Sequence, residues 1–257
     1  MSNGGLQVVV LGASGTFPVP DLAASGFLIQ AGDTNVWLDA GTGTFANLQR
    51  HIAKHDITAV ILSHTHLDHF LDIYPLYYAL RYAEDSRGAT GLEVFGPDGT
   101  REAVCALIRE AENPEDCFDG YLSFRKLSPG GQENIGGVDF SFANTIHPTE
   151  TLAVRAQIDG RVLGYTADTG PDPNLATFFS KADCLIAEAS TLTKIESLAE
   201  VHMSAEEAGR LAAEAEAGKL VLTHVTPGLD PQESVRIAAK EFSGEILVAR
   251  DNLVVEI

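Results

Sequence analysis

The sequence predicts an α/β protein made of two similar halves, and three observations support this prediction. Apolar runs of strand length alternate with helix-like segments along the chain, as expected for strands covered by helices. The stretch SPGG at 128–131 divides the 257 residues near their middle. Histidines and carboxylates follow several predicted strands, where an α/β sheet gathers its functional groups. We therefore expect one domain over 1–257, with halves at about 1–128 and 132–257.

Apolar runs and turn residues define the elements of the first half. The run QVVVL is typical of a buried strand, and the following turn at 12–15 has neither a Walker lysine nor the spacing of a nucleophile elbow. Pro75 is compatible with a position near a helix start. Strands are predicted at 7–11, 27–30, 35–39, 59–62 and 93–95, and helices at 44–54, 70–82 and 100–112.

Helix caps mark the second half most clearly. Ser204 and Glu207 have the spacing of a capping box for a helix that runs to 217 and ends before Gly218. Asp230, followed by Pro231, starts the last helix. Strands are predicted at 138–143, 152–158, 161–165, 183–187, 219–223 and, as the final strand, 245–249.

Composition disfavours several classes of protein. The chain has 36 acidic and 17 basic residues, a net charge of −19, which disfavours binding to nucleic acid backbones and anionic membranes. No segment approaches the roughly 18–20 apolar residues of a membrane span, and the apolar run at 6–11 is too short for a signal peptide. Scattered Cys105, Cys117 and Cys184 are typical of reduced thiols. We expect a cytoplasmic protein without cysteine ligands.

The stretch HTHLDH at 64–69 carries the strongest chemical signal. It directly follows the apolar run at 59–62, and it places His64, His66, Asp68 and His69 within six positions. Imidazole nitrogens and carboxylate oxygens are typical ligands of zinc and other first-row transition metals. His51 and His55 lie four residues apart without a third ligand, so we interpret them as surface histidines.

Further residues of this kind follow predicted strands in the second half. His147, Asp168, Glu188 and His224 each lie at or just past a strand end, so the loops can bring them together at one sheet edge. Two metal ions need seven or eight ligands, and a carboxylate is the side chain that can bridge them. The expected ligands of one ion are His64, His66, His147 and Asp168. Those of the other are Asp68, His69, His224 and the shared Asp168.

These motifs resemble the metallo-β-lactamase superfamily of hydrolases. The marks are HTHLDH, His147, the Asp168 of GYTADTG and the His224 of LVLTHVTPG. The residues around Glu188 (AEAS) and the run HMSAEEAG from His202 are similar to the ribonuclease Z-like branch. Within it, the run at 143–155 is most similar to atypical class II cyclic nucleotide phosphodiesterases. The resemblance implies a four-layer αββα sandwich of two related halves.

The resemblance also implies the roles of two residues outside the ligand set. His202 and Glu188 are expected to pair beside the metals, because a carboxylate can hold an imidazole in one tautomer. His202 would then stabilise the transition state or protonate the leaving oxygen, and Asp68 would accept a proton from the attacking water as well as bind metal. We expect two divalent metal ions, zinc first, with manganese and iron as alternatives.

The expected function is hydrolysis of small phosphodiesters, such as 3′,5′-cyclic AMP to the 5′-monophosphate. A ribonuclease Z-type endonuclease that processes tRNA 3′ ends is the alternative, but the segment between His147 and Asp168 leaves no room for that enzyme's RNA-binding arm. Lactone or thioester hydrolysis is a third possibility. The hydrolytic position Asp68 disfavours an oxidoreductase or a non-catalytic binding protein. We expect no nucleic acid or membrane partner, and the resemblance suggests a homodimer.

Overall fold

The computed structural model describes residues 5–83, 91–112, 117–198 and 201–257. The strands within these ranges are β1 (Gln7–Gly12), β2 (Gly26–Ala31), β3 (Thr34–Leu38), β4 (Ala59–Ile61), β5 (Leu92–Gly96), β6 (Leu122–Lys126), β7 (Gln132–Ile135), β8 (Val138–Asn144), β9 (Leu152–Ile158), β10 (Arg161–Tyr165), β11 (Cys184–Glu188), β12 (Lys219–Thr223), β13 (Glu245–Val248) and β14 (Val254–Glu256). The helices are α1 (Thr44–Leu48), α2 (Leu67–Phe70), α3 (Ile73–Tyr82), α4 (Thr100–Glu112), α5 (Pro173–Phe178), α6 (Ala205–Glu214) and α7 (Pro231–Ala238).

The strands form two seven-stranded sheets with the same internal pattern. The first has the order β14-β1-β2-β3-β4-β5-β6 and the second β7-β8-β9-β10-β11-β12-β13 when read from its antiparallel end. In each sheet the first four strands pair antiparallel and the last four pair parallel. The described strands therefore repeat one arrangement twice.

The core consists of three apolar clusters, one between the two sheets and one between each sheet and the helices that cover it. Val8 and Val10 of β1 pack in a cluster with Phe140 and Ile186 of the second sheet, so the two sheets face each other. The intervening Val9 packs instead with α3 and α4. On the other side, alternate residues of β11 and β12 pack against α5, α6 and α7. The predicted four-layer αββα sandwich is confirmed.

The stretch at 128–131 connects the two sheets, since β6 is an edge strand of the first and β7 an edge strand of the second. The chain does not stay in the second sheet, because β14 returns to pair with β1. The prediction that 245–249 is the final strand is therefore wrong. A three-residue strand at the chain end carries too short a pattern to recognise. The strands β6 and β7 were also not predicted, because exposed and charged residues interrupt their apolar pattern.

The helices mostly begin where the sequence indicates. Pro75 lies in the first turn of α3, where the backbone N–H groups have no partner within the helix. A capping box starts α6, and the Asp230 side chain caps α7. The helix predicted at 44–54 is wrong beyond Leu48, because Ala53 is extended and leads through a short 3₁₀ turn into β4.

The cysteines differ from the prediction at one position. Cys105 is disulfide-bonded, so the expectation of reduced thiols is wrong there, because spacing along the chain does not reveal proximity in space. Cys184 is free, and burial raises the pKa of its thiol to about 12. The side chain of Cys117 lies outside the described part of the structure. No helix in the described ranges is long and apolar enough to cross a membrane.

Candidate metal centre

The predicted ligands meet at one edge of the sandwich. His64 follows β4 in the first sheet, and His147, Asp168 and His224 follow β8, β10 and β12 in the second. Strands β10 to β12 run parallel, so their carboxyl ends open on the same edge. Because the two sheets face each other, this edge brings the HTHLDH loop of the first half against the loops of the second.

The local backbone structure directs the four candidate ligand side chains of the HTHLDH loop toward two different points. His64 and His66 precede α2, with extended backbone at His66, whereas Asp68 and His69 lie within the single turn of this helix. The backbone oxygen of His69 accepts a hydrogen bond from the Ala40 N–H, at 2.7 Å, which anchors this turn to the end of β3. The change from extended to helical backbone turns the second pair toward a different point.

The first group of candidate ligand atoms contains His64, His66, His147 and Asp168, which all lie within 4.8 Å of one another. His147 Nε2 is 3.1 Å from His66 Nδ1, and His64 Nε2 is 3.8 Å from Asp168 Oδ2. The backbone oxygen of Val201 accepts a hydrogen bond from His147 Nδ1 at 2.9 Å, which directs Nε2 into the group. The membership matches the predicted set for one ion.

The second group contains Asp68, His69 and His224. His224 Nε2 is 3.4 Å from Asp68 Oδ2 and 3.6 Å from Asp168 Oδ2. His69 Nε2 is 3.4 Å from Asp168 Oδ1. The carboxylate of Asp168 therefore faces both groups, as the prediction of a shared ligand requires.

Buried atoms without hydrogen-bond partners fit a bound cation. Within the described residues, His64 Nε2, His69 Nε2 and Asp168 Oδ1 are fully buried and have no hydrogen-bond partner. Leaving such an atom unsatisfied costs about 1–3 kcal/mol. Nitrogen and carboxylate oxygen donors converge here without a thiolate, which is a donor set typical of zinc and its neighbours. The His/Asp cluster is thus able to bind metal.

Burial and neighbouring charges shift the pKa values of the clustered side chains. Burial and the neighbouring His69 hold the pKa of His64 well below its usual value. Burial also opposes the charged form of His69, but the carboxylates of Asp168 and Asp39 raise its pKa well above the usual value. Burial likewise opposes ionisation of Asp168, yet His224 and His69 hold its pKa well below the usual range. A proton and a metal ion would use the same lone pair of His69 Nε2, so metal and protons compete for this nitrogen.

Asp39 contacts the candidate ligand His69 and was not among the site residues predicted from the sequence. It is fully buried at the end of β3, with a positive φ of 57°. Its Oδ2 accepts hydrogen bonds from Ser63 Oγ, His69 Nδ1 and Tyr165 Oη, each at 2.8 Å, and its Oδ1 accepts one from the Ser63 N–H at 2.7 Å. The contact with Nδ1 directs His69 Nε2 into the site. Its place directly after a strand was the available signal.

His202 and Glu188 form the predicted pair beside both groups. His202 Nδ1 is 3.1 Å from Glu188 Oε2 and 4.0 Å from Asp168 Oδ2. Glu188 is buried at the end of β11, and its carboxylate accepts a hydrogen bond from the Thr169 N–H. Although burial alone lowers the pKa of His202, the hydrogen bond to Glu188 raises it. The pair therefore favours a protonated imidazole next to the metal groups.

The remaining two of the eight histidines lie apart from the cluster. His51 Nε2 contacts the Asn252 side chain at 2.9 Å. The side chain of His55 is exposed and lies 3.8 Å from Asp56. Neither belongs to a candidate metal group in the described residues, in agreement with their interpretation as surface histidines.

Comparisons with known proteins agree with the fold. Residues 34–225 match the family model of the beta-lactamase superfamily domain. YhfI of Bacillus subtilis, described as a probable metallo-hydrolase, is 31% identical over 98% of this chain and 100% of its own length. The crystal structure of YhfI matches with a TM-score of 0.86, over 98% of this chain and 99% of that one.

Two further proteins extend the comparison. Ribonuclease Z of Mycobacterium bovis is 28% identical over 96% of each chain. The crystal structure of a diphosphatase of the PhnP family is 17% identical, with a TM-score of 0.78 over 98% of both chains, which supports the fold alone.

Fold, donor set and relatives together define a metallo-hydrolase. The chain belongs to the β-lactamase superfamily, since its family model covers most of the chain and YhfI is similar along its whole length. The two relatives found by sequence similarity are described as a probable metallo-hydrolase and a ribonuclease, both of them hydrolases.

Proposed function

We propose that the protein is a dinuclear metal-dependent phosphodiesterase that acts on small phosphodiesters. The observation that carries this proposal is the Asp168 carboxylate between two donor groups, with His202 and Glu188 at its side. One ion would be held by His64, His66, His147 and Asp168. The other would be held by Asp68, His69, His224 and Asp168.

If these residues held two divalent cations, the chemistry supplied would be a lower pKa for a water molecule and compensation of charge on phosphoryl oxygens. We expect zinc first, because each group offers imidazole nitrogens and carboxylate oxygens. Manganese and iron accept the same ligands and are the alternatives. The chain itself must position the diester, take up the proton of the attacking water and supply one to the leaving oxygen.

His202 is the proposed proton donor. Its Nδ1 faces Glu188, so Nε2 is the ring nitrogen that can meet a substrate. Burial lowers the pKa of His202, but the hydrogen bond with Glu188 raises it above its usual value, which favours the protonated ring. Proton transfer by a positioned side chain contributes typically about 10²–10⁴-fold to a rate. Glu188 would then act by orienting His202 and stabilising its charge.

Asp68 is the proposed proton acceptor as well as a ligand. Its Oδ2 accepts a hydrogen bond from the Thr16 N–H at 3.1 Å and lies 3.4 Å from His224 Nε2. Burial opposes its ionisation, but the contacts with His224 and His69 lower its pKa. It is therefore ionised at neutral pH and able to take a proton.

Two observations favour a small substrate over RNA. Between His147 and Asp168 the chain forms the hairpin of β9 and β10, so no arm extends from this connection. The net charge of −19 disfavours the phosphate contacts on which RNA binding depends. The similarity to ribonuclease Z keeps tRNA processing as the second candidate, and lactone or thioester hydrolysis as the third. A cytoplasmic homodimer without membrane or nucleic acid partners completes the proposal.

The test compares three substrates with the same metal-quantified protein: bis-p-nitrophenyl phosphate, 3′,5′-cyclic AMP and a precursor tRNA. Turnover of cyclic AMP with no cleavage of the tRNA is the expected result. Cleavage of the tRNA without cyclic AMP turnover would overturn the proposed substrate class in favour of the second candidate. Failure to hydrolyse any of the three would overturn the phosphodiesterase proposal itself.

A further inference from the structure

Two buried serines occupy equivalent positions in the two halves of the molecule. Ser63 lies two residues past the end of β4, and Ser190 lies two residues past the end of β11. Each of these strands is fifth in its sheet, counted from the antiparallel edge. Ser63 is fully buried and Ser190 is 4% exposed. Neither was predicted from the sequence to have a role.

Each serine hydroxyl lies between one carboxylate and one candidate ligand histidine. Ser63 Oγ is 2.8 Å from Asp39 Oδ2 and 3.0 Å from His64 Nδ1. Ser190 Oγ is 2.7 Å from Glu188 Oε2 and 2.9 Å from His224 Nδ1. His64 belongs to the first metal group and His224 to the second, so each group contains one such contact.

The number of hydrogens fixes the direction of these bonds. A serine hydroxyl has a single hydrogen, and an ionised carboxylate can only accept. Ser190 must therefore donate to Glu188, since the alternative acceptor, the His224 backbone oxygen, is farther away at 3.3 Å. The histidine Nδ1 must then carry a hydrogen and donate it to the serine oxygen. In the neutral imidazole, this leaves Nε2 with its lone pair directed into the site. The same reasoning applies to Ser63.

We propose that Ser63 and Ser190 are positioning residues, each of which fixes one metal-binding histidine in the tautomer with a free Nε2. The inference rests on the proposed metal-dependent function, because it assumes that His64 and His224 are ligands. It also assigns Glu188 a second role, since the carboxylate that faces His202 holds His224 through Ser190. Loss of such a partner typically lowers metal affinity about 10–100-fold.

Zinc affinity of single variants tests the assignment of each serine to its own group. We expect wild-type protein to bind two zinc ions in competition with a chelator of known affinity. Ser190→Ala should weaken one of the two steps about 10–100-fold, and Ser63→Ala should weaken the other. The variants His147→Ala and Asp68→Ala identify which step belongs to which group. Ser234→Ala is the matched control, because Ser234 is fully buried in α7 and its hydroxyl has no described partner.

The tautomers provide a second readout that does not depend on activity or on bound metal. In the metal-free protein at alkaline pH, nitrogen NMR should show His64 and His224 protonated on Nδ1. In Ser190→Ala, His224 should lose this preference while His64 keeps it. This measurement decides the inference for His224 even if Ser63→Ala does not fold.

The outcomes separate the inference from the function on which it rests. Wild-type protein that binds two zinc ions, with serine variants that match it in affinity and tautomer, would overturn the serine roles alone. Weakening of the same step by both variants would also overturn them, because each serine contacts a different group. Wild-type protein that binds no zinc would overturn the metal assignment, and the inference with it.

Discussion

Asp72 provides a prediction about stability whose size follows from the structure. It lies just before α3, 8% exposed, and its Oδ2 accepts hydrogen bonds from the N–H groups of Gly43 at 2.9 Å and Phe45 at 2.7 Å. These donors belong to the start of α1, so Asp72 caps a helix from a distance. In Asp72→Asn, the amide oxygen can replace Oδ2 and keep both bonds, while the ionisable group is removed.

The sign and size of the effect follow from the pKa of Asp72. Burial raises this pKa from its ordinary value of 3.8 to about 6, although the two N–H donors lower it. The stability that protonated Asp72 provides is therefore complete below pH 3.8 and is lost as the pH rises through about 6. With about 1.36 kcal/mol for each pKa unit, the whole loss is about 3 kcal/mol. Roughly half of it, about 1.4 kcal/mol, falls between pH 5 and pH 8.

Urea unfolding of metal-free wild-type protein and Asp72→Asn measures this difference. The range from pH 5 to pH 8 stays above the sequence pI of about 4.6, and titration of all other groups cancels between the two proteins. The free energy of unfolding of the variant should rise relative to wild type by about 1.4 kcal/mol across this range. A difference that stays constant from pH 5 to pH 8 would refute the raised pKa.

Three further predictions concern the site. His202→Ala should lower kcat for diester hydrolysis about 10²–10⁴-fold and leave the metal content unchanged. The exposed His55→Ala is the control. Loss of metal in His202→Ala would instead make His202 a ligand. Asp168→Ala, like His66→Ala, should abolish activity and lower bound metal in elemental analysis, and full metal retention by Asp168→Ala would contradict a shared ligand. Phe17 is 51% exposed beside Thr16, whose N–H contacts Asp68. An exposed aromatic ring at this position can stack on an aromatic group of the substrate. Phe17→Ala should therefore reduce about tenfold the kcat/KM for phenyl p-nitrophenyl phosphate relative to that for methyl p-nitrophenyl phosphate. An unchanged ratio would argue against stacking of Phe17 on the substrate.

The sequence predicted the candidate ligands because their signal is local. A buried strand is recognisable from a short apolar run, and the residue that follows the run lies where the strand leaves the sheet. His64, Asp168 and His224 all follow such runs. Parallel neighbours open on the same edge, so strand ends could be combined into one site before any contact was known. The hairpin of β9 and β10 was predicted with its observed bounds for the same reason.

The residues that orient the ligands could not be predicted in this way, because their roles are defined by contacts between distant segments. Asp39 meets His69 across 30 positions and Tyr165 across 126. Asp39 accepts hydrogen bonds from both residues, and these contacts form only when the distant segments pack together. The edge strand β14 is similar, since it is stabilised by pairing with β1 at the opposite end of the chain rather than by its own pattern.

The repeated strand arrangement accounts for a partial repeat within the site. Each of the two donor groups in the proposal combines ligands that follow strands of the first sheet with ligands that follow strands of the second. The two halves share one strand arrangement, so each sheet offers equivalent strand ends to the site. Ser63 and Ser190 follow equivalent strands and contact His64 and His224, one in each group. A duplicated strand end can thus place a serine beside a histidine twice, although the histidine comes from the next position in one half and from a neighbouring strand in the other.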